Sequence, residues 1–399
     1  MTIEGGISVP LGSAPGPAAQ VDVPAVDGLA DELFASLPRA DQRRWARVYL
    51  RGLLLAQGKK SMRRLAEAAV GSASAWHSLQ QFVNASTWAW DAPRSALAAW
   101  VERRASVRAW TVPQIVLPKR GDRLVGVHQR FDPRTGRTVN CQAITALLLS
   151  CPGANFPVDW HVHLPPEWVA DERSRREARI PATAASEPGW RLALDLLRRS
   201  VRRAGAPGVP VVADLSDADD PGAAVAELAA LGLGFVAELA PRAQRTMAEP
   251  PPRPGRSRAG AALGPLRGPR RWHTQVATVM GHDGGFRHVR IRWAPARPPA
   301  VRDGAYLLFS VADEGVAGSG LWLTNLTERR WEELLELVVL QASARATVDC
   351  LNERFRYLGF SGRSYPGWHH HMTLVSAAYA YSRLGRPALT AGPTAYRTA

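Results

Sequence analysis

Lysine is nearly absent from this chain of 399 residues: it occurs only at Lys59, Lys60 and Lys119, so 47 of the 50 basic residues are arginine. Cysteine is as scarce. Cys141, Cys151 and Cys350 are the only three, with no CxxC spacing, which excludes a disulfide framework and a zinc knuckle and suits a reducing compartment. Long apolar runs are missing too. None approaches the roughly 18 residues of a membrane span, and no basic segment followed by an apolar one stands at the N-terminus. A soluble cytoplasmic protein without a membrane partner is expected. Acidic residues are outnumbered 35 to 50, giving a net charge of +15 and a pI near 10.8. Arginine grips a phosphate with two hydrogen bonds, so a polyanion such as DNA is the partner this balance suggests. A basic surface with no specific partner is the alternative.

What remains is a globular composition, 46% hydrophobic and 21% charged with a mean hydropathy of −0.17. The length allows two or three domains. Residues 1–25 are rich in Gly, Pro, Ala and Ser and read as a tail. From Asp27 to about Arg104 apolar residues recur at helical spacing (Leu29, Leu33, Leu37, then Trp45, Val48, Tyr49, Leu53). We read 26–105 as an N-terminal helical, DNA-binding domain. Its basic face would consist of Arg43, Arg44, Arg47, Arg51, Lys59, Lys60, Arg63 and Arg64.

From Arg108 to Ser150 three apolar runs around Ile115, Val125 and Ala146 are separated by the turns KRGDR and FDPRTGR. This is the pattern of an antiparallel meander. DWHVHLPPEW (Asp159–Trp168) follows as a short strand on which His161 and His163 share a face, although a shared zinc would need a third ligand. Trp190 to Ala204 is an amphipathic helix with Arg198, Arg199, Arg202 and Arg203 outside. GVPVVADLSDADD (Gly208–Asp220) is an apolar run ending in Asp214, as a buried strand does when its carboxyl end delivers a carboxylate. A helix (Pro221–Leu233) and the strand GFVAEL (Gly234–Leu239) complete a strand-helix-strand unit. Asp217, Asp219 and Asp220 read as a solvated acidic loop. The stretch 241–320 holds a Pro-, Gly- and Arg-rich strap (Glu249–Arg271) and alternating runs, hence a β-rich insertion. The stretch 321–385 opens on one more alternating run, Leu321–Leu323, and is helical from Glu328 to Leu358, with His369, His370 and His371 at a further helix start, and 386–399 is a tail.

Several motifs in this order carry a resemblance. GVHQRFDPRTGRTVNCQ (Gly126–Gln142), the turn Lys119-Arg120-Gly121, the segments YLRGLL, RRLAEAA and LQQFVNASTWAWDA, the helix TVDCLNERFRYLGF with Cys350 and Gly359 in register, and RSYPGWHHHMTL (Arg363–Leu374) are similar to transposases of the insertion-sequence 701 family. That family belongs to the DDE superfamily. The resemblance implies an α/β (α+β) ribonuclease-H-like core, with 106–240 its first part and 321–385 its C-terminal helical part. It also implies a homodimer at the nucleoid acting on DNA, with Lys119 and Arg120, at the turn just before the Gly126–Gln142 segment, among the DNA-binding residues. Its chemistry uses two Mg2+ ions about 4 Å apart on three carboxylates. Asp214 matches the second carboxylate. Pro113 and Val348 stand where the family has Asp and Glu, and Phe355 where it has a basic residue. Asp122 and Asp349 are not in position to replace them. Asp214 is then the only metal ligand left, and Mg2+ is not expected to bind as a catalytic pair.

The expected function is a transposase-derived DNA-binding protein that has lost metal-dependent cleavage. Three alternatives stay open: an active transposase in another register, a decaying copy, and a pocket recruited for small-molecule chemistry with Asp214, His161, His163 or His128 as acid or base.

Overall fold

The computed structural model describes residues 21–119, 121, 124–132, 136–205, 208–248, 272–280, 286–299, 301, 304–311, 320–355 and 362–385. The expected strap at 249–271, most of the N-terminal tail and the tail from 386 lie outside these residues. Five helices lead the described chain: α1 (Val23–Leu33), α2 (Ala40–Leu55), α3 (Met62–Val70), α4 (Trp76–Asn84) and α5 (Asp91–Glu102). The helix α1 starts ahead of the apolar spacing because Asp22 accepts a hydrogen bond from the Ala25 amide and Pro24 occupies the first turn. Ser61 caps α3 in the same way, and Gly71, in the left-handed conformation, ends it.

Strands β1 (Ala109–Val112), β2 (Gln114–Pro118), β3 (Val127–Asp132), β4 (Arg137–Cys151) and β5 (Ala154–Val162) follow. They do not form the simple meander expected, since β4 pairs with all four others. Along one edge it meets β1 (Ala109 opposite Ser150) and then β2 (Gln114 opposite Thr145), in one line of register interrupted by Pro113. Along its other edge it meets β3 and then β5. At that junction Gly126 lies so close to the last residues of β5 that a Cβ would stand 2.6 Å from the His163 carbonyl oxygen. With φ of 74° as well, only glycine fits there.

Helices α6 (Pro166–Ala170), α7 (Glu172–Ala178) and α8 (Gly189–Ala204) lead to β6 (Val211–Leu215), α9 (Pro221–Ala229) and β7 (Phe235–Leu239). Strand β6 runs parallel to β1 and β7 parallel to β6, while β4 is antiparallel to β1. The order β5-β4-β1-β6-β7 is the ribonuclease-H-like arrangement, so the mixed α/β class expected from the sequence is the one observed. All five residues of β6 are buried, which its continuous apolar run requires of a central parallel strand. After α10 (Ala243–Ala248), strands β8 (His273–Met280), β9 (Phe286–Ala296), β10 (Tyr306–Val311) and β11 (Leu321–Thr324) extend the same sheet beyond β7, in the order β11-β10-β9-β8.

Helix α11 (Trp331–Phe355) lies across one face, where Leu334, Leu335 and Val338 pack on Val212, Val236, Ile291 and Phe309. The last helix, α12 (Tyr365–Leu384), is buried nearly all round and packs against α2, α4, α5 and β5. An apolar helix of this kind is a core element.

Buried charge ties these layers together. Arg94 on α5 is 2% exposed. Its guanidinium donates to Asp159 on β5 at 2.6 Å, to the Trp160 carbonyl at 3.0 Å, to Thr373 Oγ1 on α12 at 2.9 Å and to the His369 carbonyl at 3.1 Å. Burial pulls the guanidinium down while Asp159 holds it up. Asp159 ends below the usual carboxylate range, since the charges of Arg94 and Arg199 outweigh its own burial. Both groups are ionised, and neither could stay so alone.

The histidines of α12 stand about 100° apart and meet different partners. His369 Nδ1 lies 3.1 Å from Arg94, His370 is stacked on Trp88 with its two nitrogens 2.8 Å from the Val83 and Trp88 carbonyls, and His371 Nδ1 meets the Tyr49 hydroxyl at 2.9 Å. They do not share one ligand. Burial pushes His371 down to about 3 and His161 down to about 4. The carbonyls around His370 favour its charged form, against burial that pulls it to about 4.

Two outcomes follow. Arg94→Met is expected to lower the urea-unfolding free energy by about 3–5 kcal/mol by stranding Asp159, and adding Asp159→Leu should recover much of that loss. His161 and His371 favour the neutral state in the fold, whereas the unfolded chain protonates them near 6.5. Their stabilisation is therefore present above pH 6.5 and is lost as pH falls toward 4 and then 3. Unfolding free energy measured between pH 7 and 5 should fall by ~1.4 kcal/mol per pH unit for each of them once below 6.5.

Candidate active site and nucleic-acid interface

Asp214 is the next-to-last residue of β6 and is 3% exposed. Sheet register builds its surroundings. Glu238 of β7 lies directly opposite it, and Pro113 is one step past the Val112–Ala213 pair on the other side. Val212 and Val236, two residues earlier on each strand, pack under α11, and period two puts Asp214 and Glu238 on that same face. There Arg345 of α11 meets them: its Nη2 is 2.6 Å from Asp214 Oδ2 and 2.6 Å from Glu238 Oε2. The other oxygen of Asp214 accepts from the Ser216 hydroxyl at 2.6 Å and the Ser216 amide at 3.1 Å.

A third carboxyl stands beside this pair. Asp217 accepts from Gln114 Nε2 at 2.5 Å and from the Gly189 amide, at the start of α8, at 3.1 Å. The same Gln114 amide donates to the Asp214 carbonyl at 3.1 Å. Gly189 leaves room for this network, since a Cβ would lie 2.1 Å from Gln114 Oε1 and 2.8 Å from Asp217 Oδ2 and would push both side chains aside. Burial lifts Asp217 above the ordinary carboxylate value, with the Gln114 hydrogen bond opposing and the Asp214 charge adding to the lift. Burial and then the Asp214 charge lift Glu238, and Arg345 holds it back. Arg345 itself is disfavoured by burial, but the charges of Asp214 and Glu238 outweigh that and raise it further. The cluster is a salt bridge in which two carboxyls share one guanidinium, and Asp217 and Glu238 hold their protons more readily than usual.

Family chemistry calls for a divalent-metal pair, and the residues present do not fit one. Among the described residues no group of three His, Cys, Asp or Glu side chains is arranged to hold a metal. A guanidinium fills the space between the two nearest carboxylates. Pro113 is buried and offers no side-chain oxygen, and Val348 is fully buried in the apolar core.

The other expected positions are distributed as follows. Asp217 is half-buried and bonded, so it is not part of a solvated loop. Asp219 is exposed, and Asp220 caps α9 through the Ala223 amide. Asp349 is exposed and Asp122 lies outside the described residues. His161 and His163 do not converge: His161 faces His369, with ring centroids 6.3 Å apart, and His163 faces His128 at 5.9 Å. Burial pushes His163 down. Phe355 is buried.

The expected phosphate-contacting set divides as well. Arg44, Lys59, Arg63 and Arg64 are exposed. Arg43 is half-buried and donates to the Leu37 carbonyl at 2.5 Å. Arg47 pairs with Asp31 and Arg51 with Asp27, joining α2 to α1. Lys60 donates to the Leu53 and Ala56 carbonyls and closes the end of α2. Lys119 is half-buried. It borders a void of about 10 Å³ with Leu124, Gln142, Trp368, His371 and Met372, and burial pulls its amine down to about 8. Arg120 lies outside the described residues.

Sequence reasoning missed Gln114, Glu238 and Arg345. Glu238 had a signal, the lone acid in the buried run FVAEL. Arg345 lies three residues before Val348 and so shares its helix face.

No curated protein matches the chain. Among solved structures it is similar to the piggyBac transposase in a synaptic complex with hairpin DNA, seen by cryo-electron microscopy. That alignment has 10% identity and a TM-score of 0.37 and covers 92% of this chain and 74% of that one. The family model described as DDE superfamily endonuclease matches residues 32–297. This stretch includes Pro113, Asp214 and Glu238 and stops before Arg345. It spans well over half of the sequence, and the chain belongs to the DDE superfamily endonuclease family.

Proposed function

We propose that this protein is a DNA-binding descendant of an insertion-sequence 701 type transposase in which metal-dependent strand cleavage and transfer are lost. The observation that carries the reading is Arg345, seated 2.6 Å from both Asp214 and Glu238. A fixed cation stands where a divalent ion would need the same oxygens, and the neighbouring positions hold Pro113 and Val348. What remains useful is the basic surface. The helical region 26–105 serves as the DNA-binding domain in this reading, with Arg44, Lys59, Arg63 and Arg64 exposed for phosphate contact. Binding at the nucleoid as a homodimer, in a regulatory role, accompanies the proposal.

One observation favours a second reading, an active enzyme in another register. Asp214 and Glu238 approach one nitrogen from two sides, with Asp217 adjacent. If Arg345 swung away, these carboxyls would be the ones to serve.

A single assay separates the two: genomic DNA fragments titrated with the protein in Mg2+ or Mn2+, with products run on a denaturing gel. Salt-sensitive retention of intact DNA is the expected result. Metal-dependent cuts would establish the second reading, and absence of binding at low salt would remove the first.

Arg345 also has a stability signature. Arg345→Ala leaves the buried Asp214 and half-buried Glu238 carboxyls facing each other and is expected to cost about 1–3 kcal/mol near neutral pH. Burial and the Asp214 charge lift Glu238 in the fold, and without the guanidinium nothing opposes that lift. The penalty is then small in acid, where Glu238 is protonated, and grows as pH rises from ~4 through its raised value. Thermal melts of the variant and parent at pH 5 and 8 check this. A penalty that is the same at both would mean that the carboxyls do not depend on Arg345.

A further inference from the structure

Strands β8 and β9 end the sheet, and their two faces differ in kind. On one face Ala277, Val289 and Ile291 are buried under α11, and Gln275 accepts from Trp331 Nε1 at 2.9 Å. On the other face three cross-strand pairs stand in a row: Thr274 opposite Arg292, Val276 opposite Arg290 and Thr278 opposite His288. All six are exposed, with Val276 at 57%. Ser310 of β10 continues the row beyond Arg292.

The charge on this face has one sign. None of the four strands β8, β9, β10 and β11 carries an Asp or a Glu. In the helical bundle Arg47 and Arg51 are tied to carboxylates and Lys60 to carbonyls, but Arg290 and Arg292 have no acidic partner among the described residues. Arg292 instead lies over the Trp272 ring at 5.3 Å. Two guanidiniums held side by side on a rigid strand repel each other, and neither has a carboxylate among the described residues to offset that. Their spacing fits an extended polyanion. Alternate residues of a strand are about 6.8 Å apart, and one DNA strand presents a phosphate every ~3.4 Å along its axis. Successive phosphates also turn about the axis, so neighbours stand farther apart than that rise, at a distance comparable to the spacing of Arg290 and Arg292, and the threonine and serine hydroxyls beside them supply further donors of the kind that bind phosphate oxygens.

We propose that the exposed face of β8 and β9, centred on Arg290 and Arg292, is a second nucleic-acid surface that grips the DNA backbone without reading its sequence. It is separate from the helical surface of 26–105 and lies four strands from β6, roughly 19 Å across the sheet from Asp214. The inference rests on the proposed DNA-binding function and adds a site to it.

The test measures binding of the full chain to labelled duplex DNA by fluorescence anisotropy, with salt varied between about 50 and 200 mM, where phosphate-driven affinity falls steeply. The parent is compared with the doubles Arg290→Ala/Arg292→Ala, Arg290→Lys/Arg292→Lys and Arg63→Ala/Arg64→Ala. The first alanine double is expected to weaken binding about equally for all sequences and to flatten the log–log salt slope by ~1.8, about 0.9 for each phosphate that is no longer neutralised. The lysine double should keep the slope, because the charges remain. An unchanged slope and affinity in the first double, with the parent binding, overturns the second surface and leaves the proposed function standing. No binding by the parent overturns both. If the parent binds poly-glutamate more tightly than duplex DNA, and that preference disappears in the first double, the face belongs to an acidic protein partner and the proposal fails. Melting temperatures of all variants confirm folding, which substitution at fully solvated positions should leave intact.

Discussion

Arg94 is where three separately made pieces of the chain become one object. Helix α5 supplies the guanidinium, β5 the carboxylate of Asp159, and α12 a hydroxyl and a carbonyl. A charge this deeply buried is worth little against a well-packed apolar alternative and is expensive to leave half-made. Its effect is therefore on arrangement: helix, strand and helix can come together in one way only, because any other way strands an ion. The buried histidines of α12 and the Trp88 and Trp90 stacks are positioned around that fixed point.

The same logic operates at the other end of the molecule in a more exposed form. Asp214 and Glu238 share the one positive charge of Arg345, as members of a structural ion-pair network do. A catalytic metal site needs the opposite condition, carboxylates held close and left uncompensated until the ion arrives. Arg345 places a fixed positive charge between Asp214 and Glu238.

Much of the fold was legible in the sequence. Period-two runs and apolar spacing at helical intervals marked nearly every element, and the run ending at Asp214 announced a buried strand delivering a carboxylate. What was hidden is the pairing of distant segments. The 15 residues of β4 read as one more apolar strand, and nothing local says that both of its edges are used. Arg345 and Asp214 are 131 residues apart, and only the crossing of α11 over β6 brings them together. Arg94 sits on the apolar stripe of α5 with Leu97 and Val101, where a lone arginine looks like an exposed residue on a helix edge until Asp159 is found opposite it. The basic face of α2 was misjudged for a related reason, because Asp27 and Asp31 on α1, which take two of its arginines, are visible as partners only once the helices are packed.

One consequence comes from the continuity of the sheet. Because β8 to β11 extend the central strands by backbone hydrogen bonds instead of hanging from a linker, the separation between Asp214 and the Arg290–Arg292 row is a built-in gauge. A hinged appendage would follow whatever shape its ligand took. A gauge cannot follow, and Asp214 lies on the face under α11 while the arginines stand on the opposite one, so a long ligand that touched both would have to turn around a rigid sheet, and how readily a given stretch bends would become a criterion by which it is accepted or refused.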